Sequence, residues 1–388
     1  MGHNTLNFSL IYRLVDTFSF SPGQVGVFIA IGQISYFLGC TLYHRFGSTA
    51  SPVTIIPAAS IVVLLASIPL GFIKVLGSAY ASYWLIQLGS SFFWPPLSAW
   101  ITEGLSGVEL SRKISIYNRS WMAALIIAPP IAGFLYRWNS SVNFIVIALC
   151  FFINFFFVLS IKRTYAAPAA EKEKAAHTAE ITGNDKHNLS PLQQNKILDL
   201  YRYTAWIGLF CSVMLAGILM NIVPIHIRDT LGFTESTAGW VLFARCVSGF
   251  IAFIILAKFT AWNFILRWLI IIQAGLVFCA FLFLIAGSRL SFYYVVVVLF
   301  GLINASCNTN SLFYSRATGK NPKKNLALHE MFTCTGNAAG SAGGGLVYQN
   351  FGFAGTCFAL MLALGAGLAG LILLNRIARK NIDINKIL

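Results

Sequence analysis

Long apolar segments alternate with short polar ones along this chain. Eleven apolar runs have about the 20-residue length that crosses the hydrocarbon core of a bilayer. The runs are continuously apolar rather than alternating with period two, which favours helices over the strands of a membrane barrel. We therefore predict an all-α integral membrane protein with helical spans 2 to 12 at residues 24–43, 52–73, 79–101, 113–137, 143–161, 203–228, 237–258, 264–287, 292–315, 326–348 and 353–375.

The segment before the second span predicts the end of another helix. Residues 4–16 (NTLNFSLIYRLVD) are mostly apolar but too few to cross a bilayer. Residues 15–26 recur as residues 228–239, about 213 positions later, with Asp-Thr, Phe and Gly in register. Because span 7 begins near residue 203, span 1 should begin about eleven residues before Met1. We expect the chain to be truncated or its true start to lie upstream.

A second pair of similar segments extends this repeat. Residues 112–136 and 323–348 both begin with a basic pair, pass a polar pair and end in a glycine-anchored apolar run. The predicted architecture is two six-helix halves, residues 1–161 and 203–375, joined by a polar linker at 162–202 and followed by a tail at 376–388. A parallel duplication with the binding site between its halves is a common construction of transporters.

Composition and charge agree with a membrane protein. Hydrophobic residues make up 57% of the chain and charged residues only 10%, far below the roughly 25% of soluble domains. The net charge of +15 lies between spans, so it indicates topology rather than nucleic-acid binding. Even without the linker, twelve Lys and Arg lie on the linker side against four on the other. We predict that the linker and both chain termini are cytoplasmic.

Charged residues inside the spans are the first candidates for function. A charge at the bilayer centre costs a few kcal/mol unless it has a partner, a pore or a route to the interface. Arg245 lies eight residues into span 8, roughly 12 Å from its start. It could bind a substrate or form an ion pair.

Arg119 and Glu330 occupy equivalent positions in the polar pairs of the repeat. Both could extend to the interface or hold a cytoplasmic gate shut. Alternatively, Glu330, with His329, could carry a coupling proton, because a buried acid can load and release one as its exposure changes.

Uncharged polar residues extend the candidate substrate site. Asn304 and Asn308 lie one helical turn apart and share a face of span 10, where they could bind a polar solute or pack against another helix. Asn118 and Trp121 accompany Arg119 on span 5. We include all four among the candidate substrate-binding residues.

The loop after span 2 resembles a motif of the major facilitator superfamily. Residues 39–48 (GCTLYHRFGS) resemble the family pattern G-x-x-x-D-R-x-G-R: Arg45 and Gly47 match, whereas His44 replaces the aspartate. Together with twelve spans and a central linker, this resemblance implies alternating access, with His44, Arg45 and Gly47 forming a gating loop.

In that fold spans 5 and 8 face each other across the two halves, as do spans 2 and 11. Arg119 and Arg245 would then flank one side of the transport path, and Gln33 and Glu330 the other.

Several enzyme classes lack their motifs here. Thr333 stands where a zinc-binding HExxH motif needs its second His, and no GxxxxGK[ST] phosphate loop occurs. The eight cysteines lie inside apolar runs without metal-ligand spacing. We expect a non-enzymatic protein with no cofactor or metal and no nucleic-acid partner.

The leading hypothesis is a monomeric secondary transporter in a bacterial inner membrane. It would move a small polar solute, anionic or hydroxyl-bearing, by symport with H⁺. The alternatives are a multidrug exporter, which an aromatic content of 14% would suit, and a membrane sensor that no longer transports.

Overall fold

The computed structural model describes residues 2–46, 51–72, 74–139, 141–162, 191–259, 262, 265–317 and 321–381, and its regular elements are all helices. We number the helices so that each label matches its predicted span. The helices of the N-terminal half are α1 (Gly2–Phe18), α2 (Pro22–Phe46), α3 (Pro52–Phe72), α4a (Leu76–Ser91), α4b (Trp94–Ile101), α5 (Gly107–Trp138) and α6 (Val142–Lys162).

The C-terminal half repeats this order. Its helices are α7 (Pro191–Asn221), α8 (Glu235–Lys258), α9 (Leu266–Ala286), α10 (Leu290–Ala317), α11 (Pro322–Ala338) and α12 (Gly344–Asn381). A short helix at Val223–Ile225 and a π-helical turn at His226–Thr230 prolong α7, and a second π-helical turn at Ala339–Gly343 joins α11 to α12. Span 12 begins within α12 at Gly352, where a φ of 67° bends the helix.

Length and hydropathy alone identify nine candidate membrane spans among the described residues. The described helices form twelve numbered segments, and three of these segments escape that count. Helix α1 has 17 residues, helix 4 is divided into pieces of 16 and 8 residues, and the segment Pro322–Ile377 contains two crossings. The prediction of an all-α membrane protein built from two six-helix halves is therefore confirmed.

Pairs of prolines affect two helices differently. Helix 4 is interrupted at residues 92–93, and Pro95 and Pro96 lie in the first turn of α4b, where a missing N–H costs no helical hydrogen bond. Helix α5 instead continues from Gly107 to Trp138 through Pro129 and Pro130. The sequence predicts lost backbone hydrogen bonds and a kink at both pairs, since proline has no N–H to donate; the helix divides into two pieces only at the first pair.

Helix α7 begins at Pro191, well before the predicted end of the linker at residue 202. Hydropathy does not reveal this extension because residues 191–202 are mostly polar. Local contacts hold it: Arg202 Nη2 lies 2.7 Å from Asp199 Oδ1, and its guanidinium lies 5.3 Å from the ring centre of Trp206. The linker residues 163–190 and the tail residues 382–388 lie outside the described part of the chain.

The two halves meet along two helix pairs, α5 with α8 and α2 with α11. In the first pair the Ser115 hydroxyl donates to the Phe253 carbonyl at 2.5 Å. In the second pair the Tyr36 hydroxyl donates to Glu330 Oε2 at 2.8 Å. The implied pairing of spans across the halves is thus observed.

Glycines allow α11 to approach its neighbours closely, as small residues do between membrane helices. A β-carbon on Gly336 would overlap the carbonyl oxygen of Phe210, and one on Gly340 would overlap that of Met214, both on α7. On the other side, Gly26 of α2 lies directly against the carbonyl of Ser341. Helix α11 and its π-helical turn are therefore held between one helix of each half.

We expect Gly340→Val to destabilise the protein, because its side chain cannot fit against the α7 backbone. Overpacking of this kind costs about 1–3 kcal/mol, or several degrees of Tm. Gly343→Val is the matched control, since no atom of another described helix lies within 4 Å of the position its β-carbon would take. Thermal unfolding of both purified variants tests this, and an equal Tm for the two would contradict the packing argument.

Candidate functional site

A cavity of about 250 Å³ lies between the two halves, near the middle of the membrane helices. Its wall combines aromatic rings with amides and a few ionisable groups. The residues with polar or aromatic side chains are Asn7, Gln33, Tyr36, Tyr83, Gln87, Trp94, Tyr117, Trp121, Asn221, Arg245, Asn304, Asn308, His329, Glu330, Thr333 and Asn337. A concave site with few, dispersed polar groups suits one small amphipathic solute.

Arg245 is the principal cation of this wall. It lies on α8, and only 6% of its surface is exposed. Its Nη1 contacts the Met220 sulfur at 3.0 Å, and the guanidinium lies 5.4 Å from the ring centre of Phe300. Its Nε has no hydrogen-bond partner, and no carboxylate within the described residues forms an ion pair with it. A thioether is a weak acceptor, so the charge is not neutralised by the protein around it.

Glu330 lines the cavity from α11 and is bonded to the opposite half. Its Oε2 accepts the hydrogen bond from Tyr36 of α2. The neighbouring His329 is 4% exposed, and its Nδ1 lies 2.8 Å from the Ser311 hydroxyl of α10. The acid therefore contacts both the cavity and the interface between the halves, whereas the histidine is held within its own half.

Four of the uncharged candidates also reach the wall. Gln33 enters from α2, Trp121 from α5, and Asn304 and Asn308 from α10. The Asn304 amide donates to the Ser212 hydroxyl at 2.8 Å, which orients it from α7. The predicted shared face of α10 is therefore turned to the cavity.

Two predicted substrate-binding residues are not part of the lining. Asn118 is fully buried; its Oδ1 accepts a bond from Trp121 Nε1 at 3.1 Å and its Nδ2 donates to Thr309 at 3.4 Å. Arg119 is half-buried, and its Nε donates to the Ser115 carbonyl of the preceding turn at 3.3 Å. Asn118 thus positions Trp121, whereas Arg119 bonds to its own helix.

Two of the predicted gating residues, His44 and Arg45, are not among the residues that line the cavity. His44 and Arg45 belong to the last turn of α2, where Arg45 is exposed and lies over the ring of Phe46. Gly47 falls outside the described residues.

Contacts between the halves flank the cavity on both sides. On the linker side, Arg316 Nε donates to the Thr102 carbonyl at 2.9 Å. On the opposite side, Arg228 Nη1 lies 3.4 Å from Asp16 Oδ1.

Sequence reasoning missed several lining residues, notably Tyr36, Tyr83, Gln87 and Tyr117. A charged side chain inside a span is conspicuous because burying it in the bilayer costs free energy. Neutral side chains carry no such cost, so the sequence alone does not single them out. For Gln87 the repeat held a signal: the equivalent positions in the second half, about 211–213 residues later, are Val298, Leu299 and Phe300. Gln87 is therefore polar in one half only.

No group of three or more His, Cys, Asp or Glu side chains that could hold a metal ion occurs in the described parts of the chain.

Comparisons with known proteins agree with this architecture. A family model described as Major Facilitator Superfamily matches residues 1–323. No curated protein sequence matches the chain. The crystal structure of the human organic anion transporter MFSD10 (TETRAN) resembles it with a TM-score of 0.65 and 14% sequence identity, over 89% of this chain and 83% of that one. At this identity the likeness concerns the fold.

Proposed function

This chain belongs to the major facilitator superfamily of membrane transporters, and on that premise we propose that it moves a small organic anion by alternating access. The solute would occupy the cavity between the halves and bind Arg245. Separation of the contacts on one side, and then on the other, would expose it to each face in turn. Trp121, Gln33, Asn304 and Asn308 would complete its surroundings.

The buried charge of Arg245 is the observation that supports an anion. Burying a cation without a partner is costly, so such a group is retained where a ligand neutralises it. A carboxylate could accept two parallel hydrogen bonds from a guanidinium, which gives both affinity and orientation. The human transporter of similar fold is described as an organic anion transporter, which agrees with this proposal.

We propose that Glu330, which precedes no other acid on α11 and follows His329 in the sequence, carries the proton that is coupled to transport. A carboxylate that accepts a bond from Tyr36 interacts differently with the opposite half once it is protonated. Loading a proton would therefore alter a contact that joins α2 to α11. Transport is symport with H⁺ if the protein binds the proton and the anion at the same time and carries both in the same direction.

The distribution of positive charge supports a placement in the membrane. We propose that the linker side faces the cytoplasm, because Lys and Arg are more numerous there. The protein would act as a monomer in a bacterial inner membrane, since one chain supplies both halves around the cavity.

Thermal stabilisation by candidate solutes tests the proposal. We expect small carboxylates to raise the Tm of the purified protein, more strongly at lower pH, whereas neutral sugars and nucleosides have no effect. A ligand at 100 times its Kd stabilises by about 2.7 kcal/mol, which is readily measured. The absence of any shift with carboxylates at either pH would contradict the proposal.

The same measurement tests a second candidate function, the export of aromatic amphiphiles. Tyr36, Tyr83, Trp94, Tyr117 and Trp121 give the cavity an aromatic wall that suits such compounds. Cationic dyes included in the panel would then stabilise the protein, and carboxylates would not.

A further inference from the structure

Gln87, like Arg245, lines the cavity and has a buried polar atom without a hydrogen-bond partner among the described residues. Gln87 lies on α4a, and only 1% of its surface is exposed. Its Nε2 donates to the Tyr83 hydroxyl one turn earlier at 2.7 Å, and its Oε1 has no hydrogen-bond partner among the described residues. Among the described lining residues, the buried side-chain atoms without a partner are this oxygen and Arg245 Nε. Such atoms call for a ligand or an ordered water.

The two groups lie in different halves of the protein. Gln87 belongs to a helix of the first half and Arg245 to a helix of the second. A solute that satisfies both must carry an anionic group for the guanidinium and a second polar group for the amide. The wall holds one arginine, which favours one carboxylate over two.

A hydroxyl group suits the amide better than other small polar groups do. The amide of Gln87 could present its oxygen or its nitrogen to the cavity, since the Tyr83 hydroxyl can pair with either. An alcohol both donates and accepts, so it satisfies both orientations. An ammonium group only donates, so it satisfies the amide oxygen and not the amide nitrogen.

We infer that the solute is a small hydroxy-monocarboxylate whose carboxylate binds Arg245 and whose hydroxyl binds the side-chain amide of Gln87. This inference rests on the proposed function and makes Gln87 the residue that selects among anions. It also implies that the solute links the two halves when it is bound.

A series of four-carbon acids tests the inference by direct binding to the full-length purified protein. The series comprises butyrate, its 2-, 3- and 4-hydroxy derivatives, and 4-aminobutyrate. We expect at least one hydroxybutyrate to bind at least about tenfold more tightly than butyrate, because a site built for a hydroxyl rejects the analogue that lacks it. The best isomer reports the separation between the two binding groups.

Binding by variants tests whether Gln87 causes the preference for a hydroxybutyrate over butyrate. Gln87→Met should remove the preference, so that the variant binds the preferred hydroxybutyrate and butyrate with equal affinity. Gln273→Met is the matched control: Gln273 is also fully buried with an unpartnered Oε1, but it bonds to the Leu364 carbonyl outside the cavity. This control should keep the preference, whereas Arg245→Met should weaken binding of every acid.

Distinct outcomes overturn the inference and the proposed function. Equal wild-type binding of butyrate and all three hydroxybutyrates, lost in Arg245→Met, would overturn the inference and leave anion transport standing. Tighter binding of 4-aminobutyrate than of 4-hydroxybutyrate would also overturn it, in favour of a zwitterion. Failure of every acid to bind would overturn both. Because the comparisons among the acids use the wild-type protein, they test the inference even if Gln87→Met does not fold.

Discussion

Arg245→Met abolishes anion transport and at the same time stabilises the empty protein. The charged hydrogen bonds that it removes are worth about 1.5–3 kcal/mol, so binding should weaken by about 10–150-fold. The ligand-free protein should become more stable, because the variant relieves a buried charge that contacts the weak acceptor sulfur of Met220. Flux into proteoliposomes and thermal unfolding of the same preparation measure the two effects.

The stability measurement separates a binding role from a structural one. If Arg245 held α8 in place, its removal would lower the Tm together with the flux. Arg245→Lys should keep part of the binding, because it retains the charge but loses the paired geometry of the guanidinium. Arg267→Met is the control, since Arg267 is exposed at the start of α9 and lies outside the cavity. Full transport by Arg245→Met would remove this arginine from the site.

The sequence predicted the architecture well because hydropathy and duplication are strong signals. Continuous apolar runs of span length have few alternatives to a membrane helix. Errors arose where local interactions compete with hydropathy. The polar start of α7 is helical from Pro191, and helix α5 is one continuous element past Pro129 and Pro130. The mean hydropathy of a window of residues does not reveal either feature.

The site was predicted in part, for a different physical reason. Arg245 and Glu330 are conspicuous because a charge deep in a span is costly wherever it points. The side of the helix that an uncharged residue faces is harder to predict, because these helices are apolar on all sides. Asn304 faces the cavity, whereas Asn118, chosen by similar reasoning, faces Thr309 and Trp121. Residues such as Gln87 emerge only when the two halves are compared position by position.

Glu330→Gln is expected to separate anion binding from proton coupling. Glutamine matches the shape of glutamate and can still accept the bond from Tyr36, but it cannot release or bind a proton at neutral pH. The variant should therefore lose accumulation driven by a pH gradient, by at least about tenfold, and keep exchange of labelled for unlabelled anion across the membrane. His329→Gln provides the comparison, because His329 pairs with Ser311 within its own half. This variant should retain gradient-driven accumulation.

If Glu330→Gln accumulates the anion as the wild type does, Glu330 does not carry the proton and its hydrogen bond to Tyr36 only holds α11 against α2. If both accumulation and exchange disappear while the protein remains folded, Glu330 is needed for the movement itself rather than for its coupling.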